Sequence, residues 1–122
     1  MISIFEIIVV LNALFFIFYG FQSLNSQMMV EEFKRFGLSH SQRKLTGVLQ
    51  LLGALGLLAG LIVPFSGILS AGGFTVMMFV AFTVRLKIKD SAIQSLPSVI
   101  FMMINAWLVY SFYHLLQMDL IV

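Results

Sequence analysis

The chain has 122 residues, of which 61% are hydrophobic and only 10% are charged, and its formal net charge is +2. A soluble domain is typically about 45–50% apolar and about 25% charged, so this composition excludes an ordinary soluble protein and predicts an integral membrane protein. The absence of cysteine excludes disulfides, thiolate metal sites and thiol redox chemistry. At this length we expect a single membrane domain covering residues 1–122.

Four apolar segments each approach the length of about 20 residues that a helix needs to cross a bilayer. They cover about residues 2–24, 45–63, 65–84 and 97–117. Pro64 cannot continue a helix interior, so a tight hairpin joins the second and third segments. The first segment contains Glu6, Asn12 and Gln22 and no basic residue precedes it, which favours a retained helix over a signal peptide. The pattern predicts an all-α fold, an integral membrane four-helix bundle.

All seven lysines and arginines lie in two of the loops, residues 25–44 and 85–96. The positive-inside rule then places both loops in the cytoplasm, and the two termini and the Pro64 hairpin outside. We therefore expect a multi-pass protein of a bacterial inner membrane, surrounded by the lipid bilayer. The basic loops are too short and too sparse to favour nucleic-acid binding.

The longest loop, residues 25–44, contains an apolar helical face. The members of that face are Met29, Val30, Phe33 and Phe36. Gly37 is a suitable C-cap, and Ser39 with Gln42 fits a capping box that opens the next helix. We therefore expect a short amphipathic helix on the inner leaflet between the first two spans. It either orders the loop or docks a cytoplasmic partner.

Small residues mark the faces where membrane helices contact one another, because lipid offers no hydrophobic force for helix association. The predicted packing residues of the second and third segments are Gly53, Gly56, Gly60, Gly67 and Ala71. In the first segment, Ala13 and Gly20 share a face with Glu6. We interpret these residues as contacts within the bundle, and the alternative is a homodimer face formed by the Gly56–Gly60 pair.

Polar residues inside a membrane are expensive and are candidates for function. Glu6 and His114 fall at similar depths near the outer boundary, where they form an ion pair or a proton-transfer couple, or else separate interfacial contacts with water. Asn12 and Asn105 fall near the midplane and are placed to hydrogen-bond across the first and fourth spans. Around the first helix, Glu6 and Asn12 differ in direction by about 120°. Around the fourth, His114 and Asn105 differ by about 180°. At most one of the two pairs is therefore expected to meet directly.

A third polar group lies toward the cytoplasmic side. Its members are Tyr19, Gln22, Gln50 and Arg85. Arg85 either satisfies the polar side chains of the neighbouring spans, holds an anionic or quinone-like headgroup, or extends to the inner leaflet. No histidine pair has haem- or zinc-ligand spacing, so we expect no catalytic residues, no metal and no resident cofactor. Quinone is the one cofactor that the headgroup alternative admits.

Several short motifs are similar to those of a known family. They are Tyr19–Leu24, Phe36–Leu38, Gly47–Gly60, Arg85–Asp90 and Pro97. Together they resemble the DoxX-like family of small four-span membrane proteins. That resemblance implies a four-helix membrane fold and functions ranging from respiratory quinone or thiosulfate oxidation to accessory or chaperone roles. Family members often carry a lysine where the first helix ends and a glutamate in the second, and this chain has Gln22 or Ser23 and Gln50 there.

Three functions follow from these observations. The first is a non-catalytic accessory protein of the inner membrane, which binds a partner membrane protein or lipid, or a second copy of itself. The second is a quinone-binding membrane subunit of a redox system, with Arg85, Gln50 and Tyr19 near the headgroup. The third is a small transporter subunit that uses Glu6 as its protonatable group. The first is the expectation, because no complete catalytic set of residues is present.

Overall fold

The computed structural model describes residues 2–121, with side chains described as far as Met118. The described chain contains five α-helices and no strand. In order they are α1 (Ile4–Asn25), α2 (Gln27–Arg35), α3 (His40–Ala59), α4 (Pro64–Lys87) and α5 (Ala92–Ile121). The all-α membrane fold predicted from the sequence is confirmed, as is the short helix between the first two long ones. The predicted outward position of the termini concerns Met1 and Val122, which lie outside the described residues.

Within the described residues, three helices are long and apolar enough to cross a membrane. They are Ile4–Asn25, Pro64–Lys87 and the Ala92–Met118 part of α5. Helix α3 differs from the predicted second span, because its first turn is polar and its apolar part covers only residues 45–59. At 1.5 Å per residue that part extends about 22 Å, against a hydrocarbon core of about 30 Å. The predicted count of four spans is therefore not matched by length and composition.

Three of the helices begin with the same local device. In each, a serine hydroxyl accepts from the backbone of the third helical residue, whose side chain accepts from the serine N–H. The pairs are Ser3 with Glu6, Ser39 with Gln42 and Ser91 with Gln94. Only the Ser39 pair was predicted, and the Ser91 pair starts α5 early enough that Pro97 lies inside it. Helix α4 begins at Pro64, where a missing N–H costs nothing.

The long helices pack largely in chain order. Helix α1 contacts mainly α3, α3 contacts α4, and α4 contacts α5, whereas the backbones of α1 and α5 come close at only a few positions. Side chains close this last boundary, which we call the α1–α5 seam: the rings of Phe15 and Phe101 stack with centroids 3.7 Å apart. Phe16 of α1 stacks on Phe74 of α4 at 3.7 Å across the centre of the core.

Glycines set the distance between α3, α4 and α5. A Cβ atom on Gly60 would lie 2.6 Å from the Cα of Gly67, so these two backbones are in direct contact. A Cβ on Gly67 would lie 2.5 Å from the ring of Phe112, which crosses the hairpin from α5. Ala71, one turn further along α4, is fully buried.

The other predicted packing residues face the same interface. Gly53 lies under the ring of Phe74, 2.5 Å from where its Cβ would be, and Gly56 lies against the hydroxyl of Ser70. The GxxxG pair thus packs within the chain, which does not support the homodimer alternative for that face. A further contact was missed, since Gly20 of α1 meets the backbone of Gly47 of α3.

The Gly60 contact predicts a large difference between two glycine-to-alanine substitutions. Gly60→Ala should destabilise the bundle by about 1–3 kcal/mol, because the new methyl meets backbone that cannot move aside. Gly73→Ala is the matched control: it has no neighbour within 4 Å, so it should be neutral or stabilising by up to about 1 kcal/mol. Thermal unfolding of both variants in one detergent measures the difference. Equal melting temperatures would contradict the close contact.

Candidate functional site

Two asparagine amides meet in the centre of the bundle, across the α1–α5 seam. Asn12 Nδ2 donates to Asn105 Oδ1 at 2.8 Å, and Asn105 Nδ2 donates back to Asn12 Oδ1 at 3.4 Å. The same Asn105 nitrogen also donates to the carbonyl of Phe101 at 2.8 Å. Both residues are buried, with 4% and 0% of their surface exposed. Of the two pairs proposed from the sequence, this is the one that the structure forms.

The structure does not bring Glu6 and His114 together. The Glu6 carboxylate accepts from the hydroxyl and the backbone N–H of Ser3, at 3.1 and 3.3 Å, at the start of α1. His114 is exposed on α5, with its ring 6.4 Å from that of Tyr110. The proposed ion pair is therefore not made, because the helix cap engages the carboxylate. A negative charge at a helix N-terminus is favourable by itself.

Arg85 lies at the end of the bundle where all seven cations are found, and we call this the cationic end. Its guanidinium donates to Asp90 Oδ2 at 2.9 Å, and the other oxygen of Asp90 accepts from Arg35 at 2.6 Å. Both guanidinium groups also lie over the ring of Phe36, at 5.0 and 5.2 Å from its centroid. Arg35 in addition pairs with Glu32 at 2.8 Å.

Two helix ends place these groups. Gly37 (φ 78°) and Lys89 (φ 63°) both adopt the left-handed conformation one residue beyond a helix cap. In each case the next N–H bonds back to the helix, from Leu38 to the carbonyl of Phe33 and from Asp90 to that of Arg85. The turn at Lys89 folds Asp90 back onto Arg85, and the side chain of Asp90 is only 5% exposed. The hydrogen bonds from Arg35 and Arg85 lower the pKa of the Asp90 carboxyl, which therefore stays charged.

The predicted group of Tyr19, Gln22, Gln50 and Arg85 does not assemble. Within the described residues 2–118, no hydrogen bond joins any two of these four side chains. Tyr19 is exposed and packs on Phe15, and Gln22 lines a cleft of about 270 Å³ where α1 meets α2. The predicted group is wrong because Arg85 has a nearer partner: Asp90, five residues further along the chain, accepts its hydrogen bond.

Gln50 is buried between α1 and α4 with an incomplete set of partners. Its Nε2 has only the sulfur of Met77 as acceptor, at 3.8 Å, and its Oε1 is buried without a partner in the described chain. Thioether sulfur is a weak acceptor, so the amide is poorly satisfied. Buried amides of this kind normally find a full complement of hydrogen bonds.

The structure gives Arg43 a role that the sequence did not indicate. It is 97% buried, with only 3% of its surface exposed, and its guanidinium donates to the carbonyls of Ser23 and Leu24 at the end of α1. These belong to the last four carbonyls of α1, which have no partner inside their own helix. A cation there also interacts favourably with the helix dipole. The position of Arg43 could have indicated this role, because Arg43 lies one turn before Gly47 on the face of α3 that contacts α1.

These observations describe a small helical membrane protein whose intramembrane polar groups hold helices to one another. Among residues 2–118, no group of three or more His, Asp or Glu residues could hold a metal ion. The model of the DoxX-like family matches residues 7–108, and the chain belongs to that family. No curated protein matches the chain, and no solved structure does.

The amide pair predicts non-additive mutations across the seam. Asn12→Leu and Asn105→Leu each leave one amide without its partner in an apolar interior, whereas the double variant removes both amides. The double variant should be more stable than the sum of the two losses predicts, by about 0.6 kcal/mol and at most about 1.7 kcal/mol. Unfolding of all four proteins in one detergent gives this coupling energy. Strict additivity would mean that the two amides do not interact.

A second prediction concerns His40, which lies outside the apolar segments and whose ring nitrogen is 2.8 Å from the guanidinium of Arg43. The positive charge of Arg43 lowers the pKa of His40 from its ordinary value of 6.5. The folded state therefore takes up its proton less readily than the unfolded state, so stability falls as the pH drops below about 6.5. Melting temperatures measured from pH 8 to pH 5 should show this loss.

His40→Gln is the control for that series, because glutamine keeps a polar contact to Arg43 and does not titrate. The variant should lose less stability than the wild type over the same pH range. Identical pH profiles for the two proteins would contradict a role for His40 beside Arg43.

Proposed function

We propose that this chain is a non-catalytic accessory protein of a bacterial inner membrane, which binds a partner membrane protein or lipid. One observation carries the proposal: the charged residues that are candidates for function are already bonded within the chain. Glu6 caps α1, and Arg85 shares Asp90 with Arg35, so each is already engaged by its own chain. The predicted orientation, with the cationic end in the cytoplasm, belongs to the same proposal and rests on the distribution of the cations.

The outer surface offers a place for lateral binding at the α1–α5 seam. There, a groove of about 370 Å³ is lined by Ile8, Met103, Ile104 and Trp107. Trp107 is 44% exposed, although it lies mid-helix and not near either end of α5. Aromatic side chains in such positions are enriched in protein interfaces. The seam is also where the bundle has the fewest contacts of its own between neighbouring long helices.

A quinone-binding redox subunit is the second candidate, and one observation favours it. The Nε2 of Gln50, with only Met77 as acceptor, is a buried donor of the type that a quinone carbonyl accepts from. Arg85 and Tyr19 add nothing at that position, since Arg85 pairs with Asp90 and Tyr19 is exposed. The transporter alternative has no comparable support, because its proposed protonatable group, Glu6, belongs to a helix cap.

A photo-cross-linking amino acid in place of Trp107 tests the accessory role in living cells. We expect one discrete protein adduct from this position. The matched control is the same substitution at Phe79 of α4, which is 55% exposed but lies away from the seam, and it should give lipid adducts alone. Native mass spectrometry of the chain purified in mild detergent tests the alternative. Quinone that is retained by the wild type and lost in Gln50→Leu would replace the accessory role with the redox one.

A further inference from the structure

The four lysines of the chain carry positive charge that the bundle does not neutralise. They are Lys34 on α2, Lys44 on α3, Lys87 at the end of α4 and Lys89 in the turn that follows, and all four are exposed. Every ion pair found among residues 2–118 has an arginine as its cation. We call these four residues the lysine surface.

The three arginines at the same end behave differently. Arg35 and Arg85 share the carboxylate of Asp90, and Arg43 is buried against the carbonyls that end α1. Of the three acidic residues at this end, Glu32 and Asp90 are thus taken up by arginine, and Glu31 accepts from the amide of Gln27 at 3.2 Å. The positive charge left for an external partner therefore resides on the lysine surface.

The lysine surface also has the right depth for lipid headgroups. Lys44 immediately precedes the apolar part of α3, and Lys87 is the last residue of the α4 span. At the same end of the bundle, α2 has its Phe33 buried and its Met28 65% exposed, as expected of a helix that lies along an interface. The aliphatic stems of lysines at such positions lie along apolar surface while the ammonium groups reach the headgroup layer.

We infer that the lysine surface binds the headgroup of an anionic phospholipid. Charge complementarity selects this occupant, because the phosphodiester of such a lipid is negative and the four exposed ammonium groups have no acidic partner in the described chain. A single lysine near an anionic leaflet contributes about 1 kcal/mol, which is about fivefold in binding. The inference rests on the proposed function and deepens it by naming the lipid class.

Titration of lipid into the detergent-solubilised wild-type chain, followed by native mass spectrometry, measures the binding. Dioleoylphosphatidylglycerol should reach half-saturation at a concentration at least about tenfold lower than dioleoylphosphatidylcholine. Added salt should reduce the difference, because exposed charges are screened. Soluble glycerol phosphate should not compete, since it lacks the acyl chains that hold the headgroup at this depth. Equal binding of the two lipids, or full competition by glycerol phosphate, would overturn the inference.

Two quadruple variants separate charge from structure. Changing all four lysines to glutamine should weaken binding of the anionic lipid by at least about tenfold, whereas changing all four to arginine should preserve it. The side chains are exposed, so helix content by circular dichroism should be unchanged in both. Wild-type binding of the anionic lipid by the glutamine variant would also overturn the inference.

The outcome is separable from that of the proposed function. A wild-type chain that binds both lipids equally but still gives the protein adduct from the Trp107 position would overturn the lipid inference alone. Quinone retention that depends on Gln50 would overturn the accessory role and leave the lipid result standing.

Discussion

Lipid tails are as apolar as the side chains of a membrane helix, so two helices in a bilayer gain little by covering each other's surface. Association depends instead on how closely their backbones approach, and here Gly60 and Gly67 allow direct backbone contact beside the Pro64 hairpin. That contact lets Phe112 of α5 lie across Gly67, and α5 in turn carries Asn105 to the seam. Substituting one glycine would therefore disturb three helices, and the buried amide pair with them.

The features that depend only on neighbouring residues were predicted correctly from the sequence. The amphipathic helix α2, its Gly37 cap and the Ser39 capping box each depend on residues within about four positions, and all three are confirmed. The helices extend beyond the segments that hydropathy indicates: the second span is predicted from Leu45, and the capping box that opens this helix starts α3 at His40. In the same way, a serine cap that was not recognised extends α5 past Pro97.

The depth of a polar residue in the membrane does not by itself determine its hydrogen-bond partner. Depth and helical face placed Arg85 correctly at the cationic end but gave it the wrong neighbours, because its partner depends on a turn. Lys89 in a left-handed conformation returns Asp90 to the arginine, and no helical periodicity encodes that geometry. Arg43 was seen only as a topology signal, since its role requires the end of α1 to stop beside it. The Asn12–Asn105 pair could be predicted because both residues are amides that lie at one depth on the first and fourth predicted spans.

The chain-ordered packing has a consequence for biogenesis. The main packing joins long helices that leave the ribosome one after the other, α1 with α3, α3 with α4 and α4 with α5, so most of the bundle can form while synthesis continues. The exception is Asn12, whose partner lies 93 residues later and enters the membrane with the last helix. Until then the Asn12 amide lacks its side-chain partner, and an unsatisfied polar group in hydrocarbon costs free energy. Insertion of α5 supplies that partner, which makes closure of the seam the last step in assembly of the bundle.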